Sequence, residues 1–243
     1  MTLRLPPRVM IPALVFGFLF LAALGVWQLG RHDFKQDLED RRDAAIAAAP
    51  LDAATAVALP PEELDYRRVR LDGRWDFEHT FTLGNRFRFS ILGEELVVPL
   101  LLDGRAAVLV NRGWYPTSER DRVVALLSAE AAGSIEGLAR DLSPVTATLT
   151  AAGTWTRFHP PSMAAGLSYP VQPWGVIEGR LIERALLAPP AALPVQGYLA
   201  FDDDVAHLEY AVTWFGLAIT LVVTAYLRLW RIRGDAGDTP PSS

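Results

Sequence analysis

Cysteine is missing from all 243 residues. That excludes disulfides, thiolate metal centres, covalent c-type haem attachment and thiol redox chemistry in one step. Histidine is nearly as scarce. His32, His79, His159 and His207 stand far apart, so no clustered zinc site is readable. The chain also lacks the short motifs of common chemistries: the Gly-x-Ser-x-Gly elbow, the Gly-x-x-x-x-Gly-Lys-Ser/Thr phosphate loop, His-Glu-x-x-His and Gly-x-Gly-x-x-Gly. The acid pairs Glu62/Glu63 and Glu94/Glu95 are adjacent in sequence. Adjacent carboxylates on a strand point to opposite faces, so neither reads as a glycosidase acid–base pair. An enzyme would need a dispersed site, which leaves no trace in sequence.

Charge is missing from two long stretches. Residues 9–30 follow Arg4 and Arg8 and hold no acid or base, and residues 210–227 are likewise uncharged and end at Arg228. A helix of about 20 apolar residues crosses a bilayer core of roughly 30 Å, and the aromatic residues at the ends of the second stretch suit headgroup depth. A signal peptide is the rival reading of the first, with Ala23-Leu24-Gly25 as a small-x-small site. The run outlasts an h-region of about 15 residues, so an uncleaved span is expected. Pro12 falls in its first turns, where a missing N–H costs least.

Arg228, Arg231 and Arg233 behind the second span, with Arg4 and Arg8 before the first, place both termini on the cytoplasmic side of the plasma membrane. The expected division is a cytoplasmic N-terminus (1–8), a first span (9–30), a helical stalk (31–49), an exoplasmic domain (50–209), a second span (210–227) and a cytoplasmic tail (228–243). The part between the spans holds 18 of the 23 cations and 26 of the 28 acids, which excludes nucleic-acid binding and a polybasic lipid-binding face. Small residues every four positions, Ala13/Gly17 and Gly216/Thr220/Thr224, predict that the spans pair. Antiparallel, they set Gly17 level with Thr220 and Ala13 level with Thr224.

Between the spans the pattern turns to strands. Residues 51–61 read as an Ala/Pro linker, and 67–75 alternate apolar and polar side chains. Residues 80–83 precede a turn at Gly84-Asn85; residues 96–102 are wholly apolar; Asp103-Gly104 is the strongest hairpin signal. Residues 106–110 return from it toward Asn111-Arg112-Gly113-Trp114. Residues 118–132 predict a helix capped by Ser118, with Val123, Leu126 and Leu127 inward. Strands are expected at 134–140, 144–157 and 171–178, a short helix at 162–167, weak structure at 181–187, and a linker at 189–194. Asp202-Asp203-Asp204 suits the positive end of the second span's dipole. The fold class is α+β: a two-helix transmembrane hairpin carrying a mainly antiparallel, barrel-like exoplasmic domain. Trp75, Trp114, Trp155 and Trp174 are expected in its core or at an interface, and Arg112 needs a carboxylate partner from the sheet.

His207 lies one turn outside the second hydrophobic run, on the face shared with Tyr210, Ala211 and Trp214. A neutral imidazole backed by aromatics at a membrane boundary suits axial ligation of haem iron. His32 leaves the first span at nearly the same depth and is a candidate second ligand. The plain alternative for His207 is an interfacial residue hydrogen-bonded to headgroups or to Glu209.

Four motifs then resemble one family. Leu24-Gly25-Val26-Trp27-Gln28-Leu29-Gly30-Arg31 is similar to the first-span signature of the surfeit locus protein 1 family, the assembly factors of haem–copper cytochrome oxidase. Tyr66–Arg74 resembles its first strand. Asp103-Gly104 with Val108-Leu109-Val110-Asn111-Arg112-Gly113-Trp114-Tyr115-Pro116 resembles its central motif, and His207-Leu208-Glu209-Tyr210-Ala211-Val212-Thr213-Trp214-Phe215 its second-span motif. The resemblance implies a non-enzymatic role in building cytochrome c oxidase. It implies haem a as cofactor with iron on His207; Tyr210, Trp214, Trp27 and His32 are expected around it as the rest of the site. The implied partners are the oxidase core subunit, the haem a synthesis machinery and the lipid bilayer. A scaffold that binds no haem is the alternative. The sequence departs from the family pattern at Val205-Ala206, where Asn usually precedes the histidine, at His32, and between Phe158 and Leu167.

Overall fold

In the computed structural model of the chain, residues 7–104, 106–130, 132–144, 146–182, 191–199 and 206–237 are described. They form α1 (Pro7–Ala47), β1 (Leu51–Asp52), α2 (Ala53–Ala58), α3 (Pro61–Leu64), β2 (Arg68–Trp75), β3 (Phe81–Arg88), β4 (Ile91–Leu101), β5 (Ala107–Pro116), α4 (Arg120–Ser128), β6 (Ala132–Arg140), α5 (Pro160–Met163), β7 (Val171–Glu178), β8 (Leu181–Ile182), β9 (Tyr198–Leu199) and α6 (His207–Gly237). Two units result, one from Met1–Asp40 with Asp202–Ser243 and one from Arg41–Phe201.

In the second unit the strands run in the order β1-β2-β6-β7-β5-β4-β3. A further antiparallel pairing of β2 with β4, Arg74 opposite Leu101 and Trp75 opposite Leu100, closes the five strands from β2 to β4 into a barrel. Within the barrel only β5–β7 is parallel. The mainly antiparallel, barrel-like α+β domain is therefore as expected.

The apolar runs of β4 and β5 follow from this closure. Leu96, Val98, Leu100, Val108 and Val110 point into a cluster that draws on all five barrel strands, with Val69, Leu71, Ile135, Trp174 and Val176. The alternate residues Val97 and Leu109 point the other way, into a second cluster with Leu83, Phe158 and Met163. A strand buried on both faces reads as a continuous hydrophobic run, whereas β2, half-exposed, shows the alternation of Val69 and Leu71 with its polar neighbours.

Several expected elements are corrected. The turn placed at Gly84-Asn85 lies inside β3. Asn85 takes φ 55° there, and the register with β4 shifts between Leu83 and Arg86, so a bulge absorbs the turn residues. The chain reverses instead at Phe89 and Ser90, both at positive φ. Likewise β5 does not stop at residue 110. Gly113, at φ 115°, carries the strand past a bulge, where a Cβ would meet Val195 O at 2.6 Å. Residues 51–61 are not a linker but hold β1, α2 and the first residue of α3, with Asp52 Oδ1 capping α2 by accepting from Thr55 N at 2.8 Å.

The helix expected at 118–132 is shorter, and Ser118 is not its cap; a 3-10 turn at Thr117–Glu119 leads into it. Val123 and Leu127 face inward, but Leu126 is 57% exposed. Where a strand was expected at 144–157, the described residues 146–157 form a loop with isolated bridges, Leu149 to Trp155 and Leu83 to Trp155. Its threonines satisfy one another, Thr150 with Thr154 at 2.9 Å and Thr148 with Thr156 at 3.3 Å, a local alternative to a sheet ladder. Three tryptophans, Trp75, Trp114 and Trp174, are buried, and Trp155 packs half-buried against the second cluster. The acidic run at 202–204 and residues 183–190 lie outside the described residues.

The helices Val9–Ala47 and His207–Arg228 are each long enough, and each holds a stretch apolar enough, to cross a membrane. Their pairing differs in detail from the expected register. A Cβ on Gly17 would stand 3.2 Å from Leu221 Cδ2, so Leu221 rather than Thr220 is its neighbour. Thr220 and Thr224 donate their hydroxyls to carbonyls of their own helix, on Gly216 and Thr220 at 2.8 and 2.7 Å. Their need for an acceptor is met one turn away, so they do not bridge the helices.

Candidate functional site

His207 opens α6 and is 9% exposed. Its Nδ1 stands 2.9 Å from Oε1 of Gln28 on α1. Three residues before Gln28, on the same face of α1, Gly25 lies under the ring of Phe215. A Cβ there would stand 2.7 Å from two ring carbons, so the absent side chain is what admits the phenyl group. Ala211 and Ala218, four and eleven positions after His207, are 1% and 2% exposed. The face of α6 that carries the imidazole is thus buried at Ala211 and Ala218, with half-buried Trp214 between them.

The other residues singled out from sequence fall around this pair. Tyr210 is 54% and Trp27 60% exposed, both on the outer surface of the helix pair, and Trp214 is half-buried. His32 is half-buried and lies one turn beyond Gln28 on the same face of α1. What the fold brings into contact is His207 and Gln28. Glu209 is not the partner of the imidazole: it is exposed, and its backbone carbonyl accepts from Thr213 Oγ1 at 2.8 Å.

Gln28 is the residue that sequence reasoning missed. It was readable as the one amide in the otherwise apolar residues 9–30, since a polar side chain in a span seeks a partner on another helix.

In the sheet domain an open cleft of about 650 Å³ is lined by Arg74, Trp75, Asp76, Glu78, Glu130 and Tyr169 among others. Asp76 accepts from Tyr169 Oη at 2.6 Å, from His79 Nδ1 at 2.8 Å and from Glu78 N at 3.1 Å. Burial works to raise its pKa, but these hydrogen bonds outweigh it and hold the carboxyl below its usual value. Tyr169 is raised in turn, by burial and then by Asp76. Ser128 donates to Ala125 O at 3.1 Å, turning its hydroxyl back onto α4. The groups at the cleft that resemble catalytic parts are therefore engaged with one another.

Arg112 finds the carboxylates its burial requires. It is 2% exposed, stacks on Trp75 at 4.0 Å, and pairs with Glu130 at 2.8 Å and with Glu178. Burial raises the Glu178 carboxyl despite the guanidinium beside it. Buried Glu94 is held by Arg120, and next to it Tyr115 is pushed up to about 12, by burial first and by Glu94 second. His159 is structural: Nδ1 meets Ser162 Oγ at 2.6 Å and caps α5. Among the described residues no group of three or more His, Asp or Glu side chains is arranged to hold a metal ion.

Comparison with known proteins places these elements in one family. The model of the SURF1 family matches residues 15–219, from the first span through the helix that carries His207. A SURF1-like protein of Rickettsia prowazekii is 26% identical over 212 residues, covering 85% of this chain and 84% of the relative. One from Rickettsia felis is 27% identical over 214 residues, covering 85% and 90%. One from Dictyostelium discoideum is 21% identical over 249 residues, covering 86% of this chain and 90% of that protein.

Proposed function

The chain belongs to the SURF1 family, and from that premise we propose that it is a membrane-anchored, non-catalytic factor in the assembly of haem–copper cytochrome c oxidase. It holds haem a as cargo, with the iron on His207, and hands it toward the oxidase core subunit. Haem a reaches it from the synthesis machinery in the same membrane. Both termini are cytoplasmic, and the barrel domain works on the outer side.

The observation that carries the reading is the buried imidazole of His207 with Nδ1 bonded to Gln28. The donor chemistry suits the cargo: an imidazole is a common protein ligand of haem iron. Exposed Tyr210 and Trp27 and half-buried Trp214 supply apolar, aromatic surface nearby, suited to the flat face of a porphyrin. Four-fold ligation by protein is not needed, because the porphyrin supplies the equatorial donors and the chain supplies an axial one.

The full-length protein in detergent is expected to take up haem with a histidine-type Soret band. His207→Ala is expected to lose that band while retaining the folded domain. An unchanged band in the variant would remove His207 as ligand. Co-purification of the oxidase subunit that persists in His207→Ala, with no haem uptake by the wild type, would favour a scaffold that binds no haem.

A further inference from the structure

We propose that the groove between the two spans at their Met10 and Arg228 end holds one anionic phospholipid, with an acyl chain along the groove and the phosphate on the Arg228 guanidinium. The inference stands apart from the haem-handling role and uses none of its residues.

Two contacts bring α1 and α6 together. The ring of Phe215 lies over Gly25, and Leu221 Cδ2 stands 3.2 Å from the place of a Cβ on Gly17. On the N-terminal side of Gly17 a cavity of about 240 Å³ follows. Among the described residues it is lined by Met10 and Leu14 of α1 and by Leu221, Thr224, Ala225 and Arg228 of α6. Its walls are apolar, because the Thr224 hydroxyl donates to Thr220 O at 2.7 Å and is turned back on its own helix. Arg228 is the one charged residue in this lining, and no acid stands there to answer it.

Such a space does not suit water, which needs two to four polar partners. An apolar wall with nothing against it forfeits dispersion contacts, and in a bilayer the molecule at hand to supply them is a lipid chain. The aromatic residues of α6 set the depth. Tyr226 and Trp230 stand on either side of Arg228 in sequence, are 64% and 65% exposed, and meet ring to ring at 6.2 Å. Exposed Tyr and Trp on a span mark the headgroup level, so Arg228 stands where lipid phosphates lie. Basic pockets between transmembrane helices hold anionic headgroups in this way.

The flanking sequence strengthens the preference for an anion. Residues 1–8 and 228–243 hold five arginines, Arg4, Arg8, Arg228, Arg231 and Arg233, against Asp235 and Asp238. A zwitterionic headgroup brings its own cation to such a place, and an anionic one does not. The two ends of the span pair are then closed by different means, a phenyl ring over Gly25 at one and a lipid beside Ala225 at the other.

The test uses the full-length protein, stripped of lipid in detergent, with dioleoyl phosphatidylglycerol and dioleoyl phosphatidylcholine as probes and native mass spectrometry as readout. Wild type should retain one phosphatidylglycerol, bound about five-fold more tightly than phosphatidylcholine, the gain from one cation near a membrane surface. Arg228→Gln should bring the two lipids to equal affinity, and Arg228→Lys should keep most of the preference. Ala225→Phe keeps the charge but fills the groove, so it should lose the retained lipid of either kind.

Equal affinity in wild type, or a preference untouched by Arg228→Gln, overturns the proposal. A preference that survives in Ala225→Phe does so too, since it would come from surface charge without a groove. So would a lipid-free pair of chains in place of the chain with its lipid, because the groove would then take a second copy. Should Ala225→Phe fail to fold, Leu14→Phe fills the same groove from α1 and is read in the same way.

Discussion

The barrel domain and the helix pair bury polar groups by different means. Of the buried polar side chains among the described residues, Glu94, Asn111 and Arg112 belong to the barrel and His207 to the helices. In the barrel each is held by a charged partner: Arg112 by Glu178 and Glu130, Glu94 by Arg120, and Asn111, through Nδ2, by Glu95 at 2.9 Å. In the helix pair an uncharged amide meets an imidazole ring. A domain with a wet rim tolerates ion pairs whose outer members stay partly hydrated, whereas a charge placed in lipid costs several kcal/mol. The first arrangement holds a shape. The second ties two helices together.

That contrast is testable by removing one member on each side. His207→Ala should have the largest functional effect, complete loss of the histidine-type haem spectrum, with little change in denaturant resistance of the barrel followed by tryptophan fluorescence. Arg112→Leu should do the opposite. It leaves Glu178 buried without its cation, so it should cost about 3–5 kcal/mol of barrel stability. If Arg112→Leu abolished haem uptake in protein shown to be folded, the division of labour would fail.

A smaller loss is expected for Gly25→Leu. The added side chain enters the space of the Phe215 ring, and overpacking of this kind costs about 1–3 kcal/mol. The readout is helix pairing, measured by cross-linking of cysteines introduced singly into α1 and α6, which the cysteine-free chain makes simple.

The Asp76 hydrogen bonds should contribute about 1–2 kcal/mol, with a definite pH sign. The folded carboxyl lies below its usual value of 3.8. The contribution is therefore fully present above about pH 4, where the carboxyl is ionised in folded and unfolded chains alike, and fades as acid protonates the folded group. The stability gap between wild type and Asp76→Asn should accordingly shrink in thermal melts taken below pH 4. Smallest of all, Ser90→Gly should add about 0.5–1 kcal/mol by relieving a left-handed backbone at φ 59°. A loss there would mean that the Ser90 side chain is needed.

Much of the barrel was legible because its local patterns agreed with its contacts. The alternation in 68–75 and the compact run in 171–178 are strands, and Asp103-Gly104 does join β4 to β5. The failures have a common cause. Gly84-Asn85 and Gly113 look like stops, yet they are bulges inside long strands, because opposite strands supply the register that a single strand does not show. Residues 144–157 have strand composition, but their threonines bond to each other.

At the candidate site, His207 was legible from its place beside an uncharged run. Gln28 stood out only as a lone amide in an apolar run; its contact with His207 was not legible, since it joins positions 179 residues apart. The spacing of Thr220 and Thr224 suggested interhelical glue that their own helix consumes.

The barrel's closure has one more implication. Between β2 and β4 the wall is fastened by two rungs, Arg74 to Leu101 and Trp75 to Leu100, where β2 and β6 share seven. A cylinder laced so unevenly parts first like a clasp, at one narrow line, while the rest of its hoop stays whole. The same line carries the indole on which Arg112 rests, so undoing it would also bare that buried guanidinium.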